Sequence, residues 1–488
     1  MDSIRLLLVS PALRVLEQRF ADTPLMERAG AAAASLAVEL QKGLTGAPLI
    51  FVGPGNNGGD GLVVARLLKK KGLAPVVVSR ADPERMPADA RHAWESWIAA
   101  GGKVERDVPS GKFGLLIDAL FGIGLTRPAE GIYADWIDAI SRYPGPVQAL
   151  DCPSGLNADT GRALGPVVRA SHTITFISAK PGLYTLNGPD HCGHITVADL
   201  SLGDAIAALP HGRVVSIEDF RASLLPRPRN SHKGSNGNAV VVGGATGMTG
   251  AALLAGRAAL KLGAGRIYVG MLDRLPVDPQ QPELMLRSAN EAIPLATALA
   301  VGPGLGDSTE ATDLLRQSIN TSVPLVIDAD GINLLAAHPA LHNHVARRED
   351  GTVLTPHPLE AARLLGCDVT DIQADRIAAA KQLASRFNAH VVLKGVGSVI
   401  AAPDCGWAIN TTGNPGLASA GTGDVLTGFT VALLAQGWAA AQALTAAVHL
   451  HGLAADHCVA EGIGPIGLTA SELISPARAL LNRWIAHD

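Results

Sequence analysis

Short apolar runs alternate with amphipathic stretches along the whole chain. In the first half, Leu49–Val52, Pro75–Val78, Leu115–Ile117, Val147–Leu150, His172–Phe176 and His194–Val197 read as strands. Apolar residues at helical spacing predict helices over Leu25–Leu40, Leu62–Lys71, Asp89–Ala100 and Ala134–Arg142. This alternation predicts an α/β fold with a parallel sheet covered on both faces, whose ligands sit at the carboxyl ends of the strands.

The periodicity lapses between Leu209 and Ser231, where prolines, arginines and glycines replace it. A second α/β series then begins. Its predicted strands are Ala239–Val242, Ile267–Val269, Leu299–Val301, Leu325–Ile327, Val353–Leu354 and Val391–Leu393, and its predicted helices are Gly250–Leu262 and Val425–Leu434. No sequence period relates the halves, so two different domains are expected, 1–212 and 226–488, joined by a linker at 213–225.

Composition narrows this picture. A chain of 488 residues exceeds the size of one hydrophobic core. With 47% hydrophobic but only 4% aromatic residues and 54 glycines, it suits an Ala/Val/Gly-rich α/β protein rather than a disordered or fibrous one. A net charge of −4 gives no footprint for nucleic acid or an anionic membrane. The five cysteines form no C-x-x-C and are odd in number, which argues against a disulfide framework or zinc cluster and points to a cytoplasmic protein. Leu6–Val9 is too short for a signal peptide, and Phe429–Leu450 is interrupted by polar residues, so it reads as a buried helix pair rather than a membrane span.

Three strand ends in the first half carry polar chemistry. Gly53-Pro-Gly-Asn-Asn-Gly-Gly-Asp60 contains the G-x-G-x-x-G spacing of a dinucleotide loop, and Asp82 stands where a ribose-binding carboxylate could stand, which suggests a redox enzyme. Pro54 stiffens that turn, however, and Asn56, Asn57 and Asp60 bring oxygens that a pyrophosphate cradle does not need. The second stretch is Asp118 followed by Gly122-Ile-Gly-Leu-Thr-Arg-Pro128, whose Arg127 suits a phosphate. The third is Asp151-Cys-Pro-Ser-Gly155. If these strands are neighbours, oxygens of Asn57, Asp118 and Ser154 suit a hard cation.

N-N-G-G-D, D-A-L-x-G-x-G-L and D-x-P-S-G, preceded by Met26-Glu-Arg-Ala-Gly30, resemble the NAD(P)HX epimerase domain, a Rossmann-like three-layer α/β/α fold, over residues 10 to 212. The resemblance implies a site for hydrated NAD(P)H made by Asn56, Asn57, Gly58, Gly59, Asp60, Gly122, Ile123, Gly124, Leu125, Thr126, Arg127, Pro128 and Asp151. It also implies a potassium ion on Asn57, Asp118 and Ser154. Ile123 departs from the usual Thr and removes one hydroxyl. Asp151 is expected to move the proton that opens and recloses the C6 hydrate.

In the second half, Gly413-Asn-Pro-Gly-Leu-Ala-Ser-Ala-Gly-Thr-Gly-Asp424 offers backbone donors and a helix N-terminus to an anion, with Asp424 as a base beside it. His357 lies between two prolines, Lys394-Gly-Val-Gly-Ser398 follows a strand, and Gly302-Pro-Gly-Leu-Gly306 ends another. Asp328 and Asp330 read equally as magnesium-organising carboxylates or helix caps. Together these motifs resemble the ADP-dependent NAD(P)HX dehydratase, a ribokinase-like domain, over residues 226 to 485. The resemblance implies that the (S) hydrate is phosphorylated by ADP, carried with magnesium, and loses phosphate to give NAD(P)H and AMP. Ala251, Gly306, His357 and Asp424 would contact the hydrate; Lys394, Gly395, Val396, Gly397, Ser398 and Gly423 would hold AMP. Ala420 departs from the usual glycine.

The expected protein is therefore a bifunctional repair enzyme, assembled as a homo-oligomer, acting on small molecules. A vitamin or sugar kinase fused to a nucleotide-binding domain is the alternative, and a non-catalytic nucleotide sensor a third; a stable phosphorylated product would mark the kinase.

Overall fold

A computed structural model describes residues 5–487, and the chain divides between Arg213 and Val214 into two compact units. In the first unit, β1 (Ala47–Val52), β2 (Val76–Ser79), β3 (Phe113–Ala119), β4 (Val147–Leu150), β5 (His172–Phe176) and β6 (His194–Ala198) form a parallel sheet in the order β2-β1-β3-β4-β5-β6. The chain leaves β1 on one side and returns on the other as β3. Winding direction therefore reverses between them, and a crevice opens at their carboxyl ends.

Alternation along the strands sorts the apolar side chains into two layers. Ile50 and Val52 of β1 pack with α1 (Ser10–Arg19), α2 (Leu25–Gln41), α3 (Asn56–Lys70) and α4 (Ala88–Ala99). Leu49 and Phe51 pack on the other face against Trp136 and Ile137 of α5 (Ile132–Ser141). The result is the expected three-layer α/β/α unit.

One boundary differs in a way that matters. The segment 56–61, expected as a loop before a helix at Leu62, already forms the first turns of α3, which begins at Asn56 behind an extended Gly55. Its glycines make this possible. A Cβ at Gly58 would lie 2.1 Å from the Gly53 carbonyl oxygen, one at Gly59 would meet Met26 and the Ala90 backbone, and one at Gly61 would lie 2.5 Å from the Ala119 side chain. These glycines serve packing of helix on strand and helix, not approach to a pyrophosphate.

The second unit contains β7 (Asn238–Gly243), β8 (Arg266–Met271), β9 (Met285–Ser288), β10 (Ala298–Val301), β11 (Leu325–Ile327), β12 (Thr352–Leu354), β13 (His390–Leu393), β14 (Ser398–Ala401) and β15 (Trp407–Asn410). Their order is β15-β14-β13-β12-β11-β10-β7-β8-β9, with β14 and β15 antiparallel to their neighbours and the rest parallel. Here winding reverses between β7 and β10. The β14/β15 hairpin and β9 were not among the predicted strands; the hairpin's runs are only four residues each.

Helices α6 (Thr249–Lys261), α7 (Ala329–Ala337), α8 (Pro358–Leu365), α9 (Arg376–Phe387), α10 (Thr422–Ala435) and α11 (Ala440–Ala460) complete the parts that matter for function. The apolar segment 429–450 is the expected helix pair: α10 and α11 with a break at 436–439. Every residue of α10 from Val425 to Ala435 is buried, which explains why it lacks an amphipathic pattern. Among the described residues no helix is long and apolar enough to cross a membrane. All five cysteines are unpaired.

Of the segment 213–225, expected as a linker, all but Arg213 belongs to the second unit. Val215, Phe220 and Leu224 lie in its core, and two short 3-10 turns span Ile217–Ser223. The turns are three residues each, too short to leave a period in the sequence.

Helix α10 crosses α6 through Gly428, where a Cβ would lie 2.2 Å from the Ala255 carbonyl oxygen. Gly428→Ala is expected to destabilise the second unit by about 2 kcal/mol through overpacking. Urea unfolding followed by tryptophan fluorescence would measure it; an unchanged midpoint would show that the helices can separate without cost.

Candidate active sites

At the carboxyl ends of β1, β3 and β4 the first unit contains a cavity of about 1020 Å³. The three polar strand ends therefore converge, because β1, β3 and β4 are neighbours. Asn56, Asn57, Asp60, Asp151 and the loop Gly122 to Arg127 line the cavity, whereas Gly58, Gly59 and Pro128 do not. Asp82 is not in its wall either: it accepts a hydrogen bond from Glu84 N and caps a short 3-10 turn. The ribose-binding role considered for Asp82 is thereby removed.

Beneath the cavity Asp118 is completely buried and accepts hydrogen bonds from Ser154 Oγ at 2.7 Å, Ser154 N at 2.8 Å and Leu120 N at 3.2 Å. Burial pushes its carboxyl up to about 6, against the pull of those bonds. Ser154 Oγ also accepts from Phe121 N, so one hydroxyl ties the ends of β3 and β4 together. Close by, Asn57 is buried with neither its amide oxygen nor its amide nitrogen hydrogen-bonded. A buried polar group without a partner is costly, and the Asn57 side chain borders Gly122, where a Cβ would lie 3.4 Å from its amide carbon. Among the described residues no group of three or more His, Cys, Asp or Glu side chains could hold a metal ion. A cation here would rest on mixed amide, hydroxyl and carboxylate oxygens, the donor set of a hard cation.

Asp151 follows β4 with φ 64°, a left-handed conformation that aims its carboxylate back over the strand ends. Oδ2 points toward Gly122, whose Cβ, were there one, would lie 3.1 Å away. Oδ1 accepts a hydrogen bond from Lys180 Nζ. Lys180 is buried, donates also to Thr175 Oγ1 and the Phe176 carbonyl at 2.8 Å each, and lines the cavity. Asp60 lies near enough that burial, then Asp151, then Glu17 raise its pKa well above the usual carboxylate range, with Lys180 opposing. One ammonium thus serves three carboxylates. Lys180 was missed in the sequence, although it stands four residues past a predicted strand at the same end of the sheet as Asp151.

In the second unit the loop after β13 and the N-terminus of α10 meet. A Cβ at Gly423 would lie 3.5 Å from Lys394 Nζ. Lys394 donates to Asp328 Oδ1 at 3.1 Å and lies 3.9 Å from Glu360. Burial disfavours its charge, yet Asp328, Glu360 and Asp424 more than offset that and raise its pKa. Burial, reinforced by Asp328, pushes Asp424 up to about 7 while Lys394 opposes; Glu360 rises to about 7 from the same causes.

Of the two readings of Asp328 and Asp330, the helix-cap reading of Asp328 requires correction. Asp328 is buried and accepts from Thr355 Oγ1 at 2.6 Å, Thr427 Oγ1 at 2.7 Å and Lys394, so both its oxygens are taken. It does not cap α7 with its side chain. Asp330 instead accepts from Gly306 N at 2.9 Å and holds the loop after β10. Ala251 lies against that loop, with its Cβ 3.2 Å from where a Cβ of Gly304 would be. His357 caps α8: its Nδ1 accepts from Leu359 N and Glu360 N, and Glu360 Oε2 accepts from His357 N. Burial and Lys394 lower the His357 pKa, and with Nδ1 accepting two N–H bonds the neutral ring carries its proton on Nε2.

The chain matches the NAD(P)H-hydrate dehydratase family over residues 239–476 and the family described as YjeF-related protein N-terminus over residues 22–182. It is 39% identical to the bifunctional NAD(P)H-hydrate repair enzyme of Escherichia coli, over 89% of this chain and 85% of that protein. The Vibrio cholerae enzyme of the same name is 40% identical over 94% of this chain and 93% of its own. A solved ADP/ATP-dependent NAD(P)H-hydrate dehydratase from Bacillus subtilis is 31% identical, with a TM-score of 0.49, and covers 55% of this chain and 97% of its own.

Lys180→Met leaves Asp151 and Asp60 without their shared cation. It is expected to raise the Asp60 pKa further and to destabilise the first unit by about 3 kcal/mol. Carboxyl-carbon NMR titration and urea unfolding read the two effects; an unmoved Asp60 titration would show that Lys180 does not govern this cluster.

Proposed function

The chain belongs to the bifunctional NAD(P)H-hydrate repair enzymes, and on that premise we propose how its two units divide the work. The first interconverts the (R) and (S) hydrates of NADH and NADPH. The second dehydrates the (S) hydrate as ADP becomes AMP and phosphate. Together they return both hydrates to the reduced cofactor.

In the first unit, a cavity at the upper end of the usual range for ligand sites suits a dinucleotide. Asn56, Asn57, Asp60 and the Gly122 to Arg127 loop contact the hydrate, while Gly58, Gly59 and Pro128 support that wall from behind. Asp151 Oδ2 moves the proton at the C6 hydroxyl as the hydrate opens to a planar intermediate, which water re-enters from either face. Lys180 holds Oδ1, fixing the carboxylate's orientation. The unpartnered Asn57 amide, the buried Asp118 carboxylate and Ser154 fit a potassium ion. Bound there, the ion supplies positive charge under the cavity floor.

In the second unit, Asp424 takes the proton of the hydrate's hydroxyl as that oxygen attacks the terminal phosphorus of ADP. Lys394 and the N–H groups opening α10 stabilise the negative charge that develops. Phosphate then leaves where water would leave poorly. The Lys394 to Ser398 loop and Gly423 hold AMP, and Ala251, Gly306 and His357 border the hydrate. Magnesium arrives with the nucleotide, and no step passes through it. The observation that carries this reading is Asp424 and Lys394 gathered at one helix N-terminus, with Asp424 poised to titrate near neutrality.

With mixed hydrates and ADP, Asp424→Asn should lower the rate of NAD(P)H recovery by about 10³-fold and leave epimerisation intact. Asp151→Asn should instead leave the (R) hydrate unconsumed. Because a base must be deprotonated to act, dehydratase kcat/KM should rise with pH through about 7 and level off above it. Recovery of NAD(P)H at the normal rate by Asp424→Asn, or a stable phosphorylated product, would overturn the assignment. For the cation, replacing choline with potassium chloride should raise the melting temperature by on the order of 3 °C in the unaltered protein and not in Asn57→Ala. Equal shifts in both would remove Asn57 from the site.

A further inference from the structure

Behind the loop assigned to the nucleotide lies a buried cation that nothing above employs. Arg376 opens α9 and is 2% exposed. One terminal nitrogen donates to the carbonyl oxygens of Leu393 and Lys394, at 3.2 Å each, and the other to Gln373 Oε1 at 3.0 Å. Its Nε is buried and has no hydrogen-bond partner. Burial lowers its pKa to about 10, with no acidic neighbour offsetting that cost. A guanidinium removed from water without a carboxylate is an expensive arrangement to keep, so its position calls for an explanation beyond packing.

The geometry supplies one. The carbonyl and N–H of a trans peptide point in opposite directions. With the Lys394 carbonyl drawn back onto Arg376, the N–H of Gly395 is turned away from the guanidinium, toward the opposite side of the loop. Gly395 has φ 137°, and a Cβ there would lie 2.9 Å from both terminal nitrogens of Arg376. The loop therefore sits directly on the guanidinium, and only glycine fits between them.

We propose that Arg376 is a positioning residue for the nucleotide: it fixes the Lys394–Gly395 peptide so that its N–H faces the anionic ligand, and sets an uncompensated positive charge behind the loop. This rests on the reading that residues 394–398 hold the nucleotide. Binding of a nucleoside diphosphate would then complete a charge that the free protein leaves unpaired.

The test uses the full chain, with ADP affinity measured by calorimetry and dehydratase kinetics by NAD(P)H absorbance. Arg376→Met should raise the KM and Kd for ADP about tenfold or more, with kcat at saturating ADP and the KM for the hydrate nearly unchanged. Arg376→Lys should restore only part of the affinity, because an ammonium keeps the charge but not the fork that holds two carbonyls. Should Arg376→Met fail to fold, Gly395→Ala displaces the guanidinium while retaining it, and is expected to weaken ADP likewise. An unchanged Kd in whichever of these variants folds overturns the proposal. Lys394→Met separates the two levels. If it weakens ADP while Arg376→Met and Gly395→Ala do not, only the role of Arg376 falls; if none of them weakens ADP, the assignment of the loop falls as well.

Discussion

Backbone pressed on backbone at the carboxyl ends of parallel strands is the constraint on which both sites depend. In the first unit a Cβ at Gly53 would lie 1.8 Å from the Leu120 carbonyl oxygen, so the loops leaving β1 and β3 touch directly. In the second, a Cβ at Gly243 would lie 2.0 Å from the Pro303 carbonyl oxygen, and one at Gly302 would lie 1.8 Å from that of Asp328. Each contact falls at or beside the point where strand order reverses. Open α/β sheets bind ligands there because adjacent loops diverge to opposite faces. Glycine brings the roots of those loops together, so that the side chains above them converge.

Both sites also share an electrostatic plan. A lysine, buried at Lys180 and half-buried at Lys394, stands among more carboxylates than it can neutralise: Lys180 with Asp151 and Asp60, Lys394 with Asp328, Glu360 and Asp424. The surplus negative charge, added to burial, drives Asp60, Glu360 and Asp424 upward. A carboxyl that titrates near neutrality can both take and return a proton at working pH, which ordinary carboxylates do poorly. The threonine pair Thr355 and Thr427 holds Asp328 in place. They donate to both of its oxygens and tie the end of β11 to the segment after β12 and to α10.

The same arrangement shows why the G-x-G-x-x-G at Gly53, Gly55 and Gly58 misleads. Two of its three glycines are consumed by contacts within the protein, and only Gly55 has open space where a Cβ would be. What distinguishes the stretch is Asn57, brought by the first turn of α3 to lie buried and unpartnered in the cavity wall. The motif and its residues were legible; the reason for them was not.

Local chemistry and periodicity in the chain were enough to determine two α/β units, their strand ends, and the family to which N-N-G-G-D, D-x-P-S-G and G-T-G-D point. Those features repeat over a few residues and survive without knowledge of neighbours. Lys180 and Arg376 carry no such mark, because their significance comes from what other segments place around them: Asp151 from the adjacent strand end, and the carbonyls of Leu393 and Lys394 from β13 and its loop. The fates of Asp328 and of segment 213–225 were likewise settled only by packing, through two hydroxyls distant in sequence and a core that buries Phe220. A residue's type is written locally, but its partners, burial and hence its charge state are properties of the assembled fold.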